Sequence, residues 1–181
     1  MNFLYQPHWC EENIWHLAAD PRVGAGERYV LLLTGTSGEF ACWNQRAAGP
    51  PGRCVLWDYH VVLAVHRRSW EILDLDTHLP CPTSAADWLD GTFPFDNKHL
   101  MPGIRVRALM IPAAEWRRDL WTDRGHMRTA SGGWQKPPPP WDPPQGSGVT
   151  LARYLDEARG ALTLLELRSR LSAPESANCS G

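Results

Sequence analysis

The chain has little excess charge of either sign: 18 lysines and arginines oppose 20 aspartates and glutamates, a formal net charge of -2 over 181 residues. Its arginines are scattered along the sequence, so no basic field exists to hold a phosphate backbone, and nucleic acid is not an expected partner. Long apolar runs are missing too. No stretch approaches the roughly 20 residues that cross a bilayer, and the N-terminus lacks the basic lead, apolar segment and small-residue cleavage site of a secretory leader. The expectation is a soluble, cytoplasmic chain with no membrane partner. Cysteine does not come in pairs: Cys10, Cys42, Cys54, Cys81 and Cys179 are odd in number and irregular in spacing, with no C-x-x-C and no Cys/His cluster at zinc intervals. Neither a disulfide framework, a structural metal nor a cofactor is indicated.

What is present suffices for one domain. With 43% hydrophobic residues the chain can bury one sizeable core, expected over residues 1–172, while the polar stretch 173–181 carries no structural signal and reads as a disordered tail. Ten tryptophans stand out. Most are expected as core payload, and some as walls of a cleft.

Mixed α and β signals run along the chain. Residues 10–19 place Ile14, Leu17 and Ala18 on one helical face, with Glu11 and Glu12 in the first turn where negative charge suits the helix dipole. Residues 29–34 read as a strand, with 39–43 as its hairpin return. Residues 55–65 give the strongest strand signal. Their alternation puts Val55, Trp57, Tyr59, Val61, Leu63 and Val65 on one face and places His60 on the less bulky, more polar other face. Residues 70–76 form the next strand across a turn at Arg67, Arg68 and Ser69. If that loop is centred on Arg67, Asp74 faces His60; a one-residue slip puts Leu75 there, and a two-residue slip Asp76. Short helices are expected at 85–89 and 112–120, the latter with Pro112 at its first position, and a strand at 104–110. Residues 131–148, with Pro137 to Pro140, read as an ordered surface loop pinned by Trp134 and Trp141. Helices at 151–158 and 163–171 close the chain, the second with Thr163 and Glu166 at capping-box spacing.

A Cys, a His and an Asp in that order suggest a cysteine nucleophile. Free cysteine is mostly protonated at neutral pH, and a helix N-terminus and a neighbouring imidazole both lower its pKa. Cys10 gains both if His60 rests beside the first turn of its helix, and the acid would then fix the His60 tautomer. Spacing alone equally allows a buried structural thiol, a satisfied strand histidine and a turn carboxylate. His16 lies more than a turn beyond Cys10 and does not easily reach it.

The strings CEENIW, WDYHVVL and DLDT, followed by DRGHM, SGGW and PPPP, closely resemble the protein N-terminal glutamine amidohydrolase family. The resemblance runs in collinear blocks from about residue 5 through the polyproline loop. It implies a nucleophile at Cys10, a histidine at His60 and the acid at Asp74, the first aspartate of DLDT. It also implies an α+β fold similar to papain-like and transglutaminase-like enzymes, with a helix bearing the cysteine packed on an antiparallel sheet bearing the histidine and acid. The chain departs from animal members in its short lead before Cys10 and in the segment from Pro21 to Cys54, so loops there do not carry over.

On that resemblance the expected activity is deamidation of an N-terminal glutamine to glutamate in the N-degron pathway, through a thioester on Cys10, by a monomer acting on proteins or peptides. The backbone N–H of Cys10 is the expected oxyanion donor. A free N-terminus needs an acceptor for its ammonium, and Glu12, Asp58, Asp76 and Asp123 are the candidates by charge. Trp9, Trp57 and Trp134 are candidate pocket walls. Two other readings share the sequence: a transglutaminase-like or protease-like acyl transferase using the same triad, and a non-enzymatic module offering its polyproline stretch to a partner.

Overall fold

The computed structural model describes residues 3–172; the tail expected at 173–181 lies outside the described residues. Among the described residues there are ten strands: β1 (Glu27–Gly35), β2 (Phe40–Trp43), β3 (Cys54–Trp57), β4 (Tyr59–His66), β5 (Trp70–Leu73), β6 (Thr83–Ser84), β7 (Val106–Pro112), β8 (Leu120–Trp121), β9 (Val149–Thr150) and β10 (Leu162–Thr163). The α-helices are α1 (Cys10–Leu17), α2 (Ala85–Thr92), α3 (Ala113–Asp119), α4 (Leu151–Arg159) and α5 (Leu164–Ser172). Six strands make one antiparallel sheet in the order β10-β7-β1-β4-β5-β6. Among the described residues no helix is long and apolar enough to cross a membrane.

The sheet is covered on both faces, which explains why its central strands are apolar without interruption. Val30, Leu32, Val61, Leu63 and Val65 meet Ile14 and Leu17 of α1, Trp116 of α3 and Tyr154 of α4 on one side. Leu31, Leu33, Val62 and Ala64 meet Trp88 of α2 and Leu167 of α5 on the other. Each fully buried aliphatic side chain contributes roughly 1.5–3 kcal/mol relative to exposure. Several local signals act as expected. Thr163 and Glu166 cap α5 reciprocally, with Thr163 N–H on Glu166 Oε2 at 2.7 Å and Glu166 N–H on Thr163 Oγ1 at 3.3 Å.

Four sequence expectations are corrected. Residues 40–43 do not return along β1: they pair with β3, with Phe40 opposite Trp57 and Trp43 opposite Cys54. Both edges of β1 are already occupied by longer partners, β4 and β7. Residues 55–65 are not one strand, because Asp58 breaks them. Its carbonyl takes the Thr34 hydroxyl at 2.8 Å and its carboxylate takes the Tyr59 N–H at 2.9 Å. Val55 and Trp57 therefore pack with the α2 side, while Tyr59 faces α1. The side of the sheet that His60 shares is an apolar core under α2, not a polar face. Finally, Pro112 ends β7 and caps α3 rather than opening the helix.

Candidate active site

Cys10 is the first residue of α1. Asn13 clamps the turn that precedes it, accepting from Gln6 N–H and donating to Gln6 O, both at 2.9 Å, and its own N–H closes on Trp9 O at 2.9 Å. The first N–H groups of a helix have no partner within it, so the Cys10 amide is available to a ligand. Ile14 and Leu17, a turn and two turns further on, seat the helix against Val61 and Leu63 of β4. This holds Cys10, 7% exposed, beside the start of that strand.

His60, the second residue of β4, is buried and has Nε2 3.0 Å from Asp74 Oδ1. The ladder between β4 and β5 runs Leu63 opposite Leu73 and Ala64 opposite Ile72, a register in which the pairing would continue to Asp76. That is the two-residue slip, but the strand stops at Leu73 and the chain turns. Asp74 swings onto His60, and its Oδ1 also accepts the Asp76 N–H at 3.0 Å, while Oδ2 accepts Gln45 Nε2 at 3.0 Å and Trp88 Nε1 at 3.1 Å. Asp74 thus lies just beyond the sheet rather than on it. Burial alone would push its carboxyl up, but the His60 charge and these hydrogen bonds bring it below the usual value. Burial likewise pulls His60 down, and the Asp74 carboxylate more than reverses this. Each partner thus favours the charged form of the other.

Cys10 and His60 line one cavity of about 450 Å³, with Trp57, Asp58, Asp76 and Asp123. The Trp57 ring stacks on that of His60, with centroids 6.1 Å apart and planes at 12°. Asp76 accepts the Tyr5 hydroxyl at 2.7 Å, and burial raises its carboxyl above the usual value. The sulfur environment departs from expectation. Burial pushes the thiol well above its ordinary value, and the charges of Glu11 and Asp76 add to this against a backbone hydrogen bond at Val61.

The other residues singled out in the sequence divide clearly. Asp58 and Asp123 each spend one oxygen on a local backbone N–H, from Tyr59 at 2.9 Å and Gly125 at 2.7 Å. Glu12 is elsewhere: it is fully buried, both oxygens bind Arg124 at 2.7 Å, and Oε2 also accepts Trp141 Nε1 at 2.9 Å. Its charge is spent on Arg124, which pins the polyproline loop through the carbonyl of Trp141 at 2.7 Å. Trp134 packs edge-on against Trp9 and under Arg128, and Trp9 is wholly buried. The loop itself is anchored by Trp9 Nε1 and Gln6 Nε2 on Pro137 O, and its Gln135 and Lys136 line the cavity.

Sequence reasoning gave no role to Glu11 beyond the helix dipole or to Tyr59, and left His126, the histidine of DRGHM, as one further histidine available as a base. Glu11 Oε2 accepts the Tyr59 hydroxyl at 3.0 Å and lies 3.9 Å from the Cys10 sulfur. His126 Nε2 is 3.3 Å from the Tyr59 hydroxyl and 3.4 Å from Glu11 Oε1. Glu11 adjoins the thiol in CEENIW and His126 lies in DRGHM, so the available signals were adjacency for the first and membership of a family string for the second. For metal binding, His60, Asp74 and Asp76 bring ligand atoms within 4.8 Å of one another. Asp74 already accepts two hydrogen bonds at each oxygen, which suits the fixed partner of an imidazole better than a metal ligand.

Residues 5–162 match a protein family described as N-terminal glutamine amidase. Among curated relatives, the protein N-terminal glutamine amidohydrolase of Homo sapiens is 34% identical over 145 residues, covering 76% of this chain and 69% of the relative. Those of Bos taurus and Danio rerio are 34% and 32% identical, covering 75% of this chain in each case and 68% and 69% of the relative.

Proposed function

Since the chain belongs to the N-terminal glutamine amidase family, we propose that it converts the N-terminal glutamine of peptides or proteins to glutamate and releases ammonia, with Cys10 as nucleophile, His60 as acid and base, and Asp74 as the group that orients His60. The observation that carries this reading is the 3.0 Å contact between His60 and Asp74 at the wall of a cavity that Cys10 also lines.

Because burial and Glu11 favour the thiol, proton transfer accompanies attack. His60 takes the Cys10 proton as sulfur bonds to the side-chain amide carbon, and the carbonyl oxygen becomes an oxyanion at the Cys10 N–H. The imidazolium then gives its proton to the amide nitrogen; the carbon–nitrogen bond breaks, ammonia leaves, and a thioester remains. A water molecule, deprotonated by His60, attacks the thioester, and sulfur leaves to recover its proton. Asp74 stabilises the imidazolium in both halves without accepting its proton.

The free ammonium of the substrate is received by the carboxylates that line the cavity, Asp58, Asp76 and Asp123; Trp57 walls the pocket, and Glu12 is reserved for the fold. Asparagine is one methylene shorter, a difference worth about 1–3 kcal/mol in apolar contact, so placement of the amide against Cys10 supplies the remaining discrimination. The same reading includes a papain-like or transglutaminase-like arrangement, a single catalytic domain over 1–172 and a cytoplasmic monomer acting in the N-degron pathway. The test is mass spectrometry of peptides beginning with Gln, beginning with Asn, or carrying Gln internally. A gain of about one mass unit with ammonia release, on the Gln-initiated peptide only and lost in Cys10→Ala, is expected. Cleavage, or transfer to an added amine in place of water, would replace the proposal with an acyl-transferase reading.

A further inference from the structure

Beside the thiol lies a second polar network that the proposed reaction does not use. Glu11 is fully buried next to Cys10 in sequence, with Oε2 3.9 Å from the sulfur. A buried carboxylate is costly unless a cation or donors meet it, and one that faces a sulfur also opposes any negative charge there. Its donors are few. Oε2 takes the Tyr59 hydroxyl at 3.0 Å, and Oε1 makes no hydrogen bond of good geometry. The cationic side chain that reaches it is His126, with Nε2 3.4 Å from Oε1. The nearby Arg124 is already committed, both 2.7 Å contacts going to Glu12.

His126 lies where it can act. It lines the cavity with Cys10 and His60, and its ring is edge-on to Tyr59 and to the buried Trp9, with centroids 6.3 and 6.0 Å apart. The charged and titratable groups that line the cavity with the sulfur are His8, Asp58, Tyr59, His60, Asp76, Asp123, His126 and Lys136, and Glu11 adjoins it from α1. Those that raise His126 are Glu11 first, then Asp58 and Glu12, with burial opposing. The charges that act on the Cys10 thiol are the carboxylates of Glu11, Asp76 and Asp58, all opposing its ionisation, and His126 meets the first of them.

We propose that His126 is a positioning residue of this site: as an imidazolium paired with Glu11 and touching Tyr59, it cancels the buried carboxylate beside Cys10 and so lets the sulfur become a thiolate. The inference rests on the reading of Cys10 as nucleophile, but its test needs no glutamine substrate.

The rate of iodoacetamide alkylation at Cys10, followed by peptide mapping so that Cys42, Cys54, Cys81 and Cys179 do not contribute, is measured from about pH 6 to about pH 10, across the ordinary cysteine range. His126→Gln removes the cation and strands Glu11; its profile is expected to move to higher pH, with alkylation near neutrality about ten-fold slower or more, one unit of thiol pKa being ten-fold in thiolate. Glu11→Gln together with His126→Gln removes both charges and is expected to return to within about three-fold of wild type, the pair being coupled rather than additive. A His126→Gln variant that alkylates like wild type overturns the proposal, as does a double variant no faster than the single one, since a merely structural role would not be rescued. Should His126→Gln not fold, NMR titration of the His126 ring in the unmodified protein decides: a value above that of free histidine is expected, and one below it overturns the proposal. If the alkylation pattern holds while wild type releases no ammonia from glutamine peptides, this inference stands and the amidase reading fails.

Discussion

Asp74→Asn separates the acid assigned here from its neighbour more sharply than any other substitution. Asp74 accepts from four donors: His60 Nε2 and the Asp76 N–H at Oδ1, Gln45 Nε2 and Trp88 Nε1 at Oδ2. A carboxamide keeps one acceptor oxygen and turns the other into an NH₂ donor. One pair of existing donors must then face a donor. If the oxygen stays with Gln45 and Trp88, the NH₂ meets His60, which has to present an unprotonated Nε2 and so carries its proton on the other ring nitrogen. That nitrogen is the one the mechanism needs as acceptor for the Cys10 proton. If the amide flips, His60 keeps its tautomer but loses the charge that holds the imidazolium, and two buried donors go unmet at roughly 1–3 kcal/mol each.

Either arrangement removes transition-state stabilisation, and kcat/KM is expected to fall by about 10²–10⁴, the range of one positioned acid–base group. Asp76→Asn retains an acceptor for the Tyr5 hydroxyl, its single side-chain hydrogen bond, and it removes a carboxylate that burial already disfavours in its charged form. A smaller loss than at Asp74 is expected there, falling mainly on KM, since one of three carboxylates proposed to receive the substrate ammonium is neutralised while the acid–base pair stays intact. The assay is ammonia release from a Gln-initiated peptide as a function of pH. In Asp74→Asn the acid limb, where His60 must lose its proton to act as base, should also move to lower pH, because the carboxylate that raises His60 is gone. Equal, mild losses at both aspartates, or the larger loss at Asp76, would refute the assignment.

Cys10→Ala is expected to abolish ammonia release while leaving the melting temperature within a few degrees of wild type, because the polar contacts of the sulfur, a 3.9 Å approach to Glu11 and a hydrogen bond with the backbone at Val61, are those of a weakly bonding thiol; a collapse of circular dichroism would show a structural thiol instead. Arg124→Ala should cost about 3–5 kcal/mol in urea denaturation, since it strands a fully buried Glu12, and Arg124→Lys should not restore stability because an ammonium cannot make both 2.7 Å bonds. The His60–Asp74 pair gives a definite pH dependence of stability. Asp74 is lowered on folding, so its contribution is present above the unfolded value near 3.9 and is lost as pH falls through the folded one; His60 is raised, so its contribution is full below about 6.5 and is lost as pH rises through its folded value. The melting-temperature difference between wild type and Asp74→Asn should therefore be largest between about pH 4 and 6.5 and shrink on either side, and a difference that grows steadily toward alkaline pH would contradict this.

Much of the fold was legible because local signals and burial agreed. The periodicity over 10–19 marks α1, which runs Cys10–Leu17, the Thr163 and Glu166 pair marks the start of α5, and the two tryptophans flanking the polyproline loop both anchor it. What failed did so where pairing is decided at long range. Residues 40–43 look like a hairpin return by turn chemistry, yet β1 already has partners from residues 59–66 and 106–112 on its two edges. The alternation through 55–65 looked unbroken because Asp58 occupies a formally correct position, and only its hydrogen bonds to Thr34 and Tyr59 show it as a break.

The site shows why a local string carries chemistry further than geometry. Strand register argued for Asp74 only on the assumption that the turn was centred on Arg67; with the observed ladder the same arithmetic selects Asp76. Asp74 nonetheless touches His60 because β5 ends at Leu73, and what holds it there are Gln45 and Trp88, from segments far away in sequence with no recognisable spacing to His60. Cys10, the proposed nucleophile, stands at the start of α1, and one short block of sequence is enough to place it there. The groups that set its charge come from wherever the fold brings a donor or a carboxylate, which is why Glu11, adjacent to the thiol, passed for a helix-dipole residue until Tyr59 and His126 were seen to converge on it.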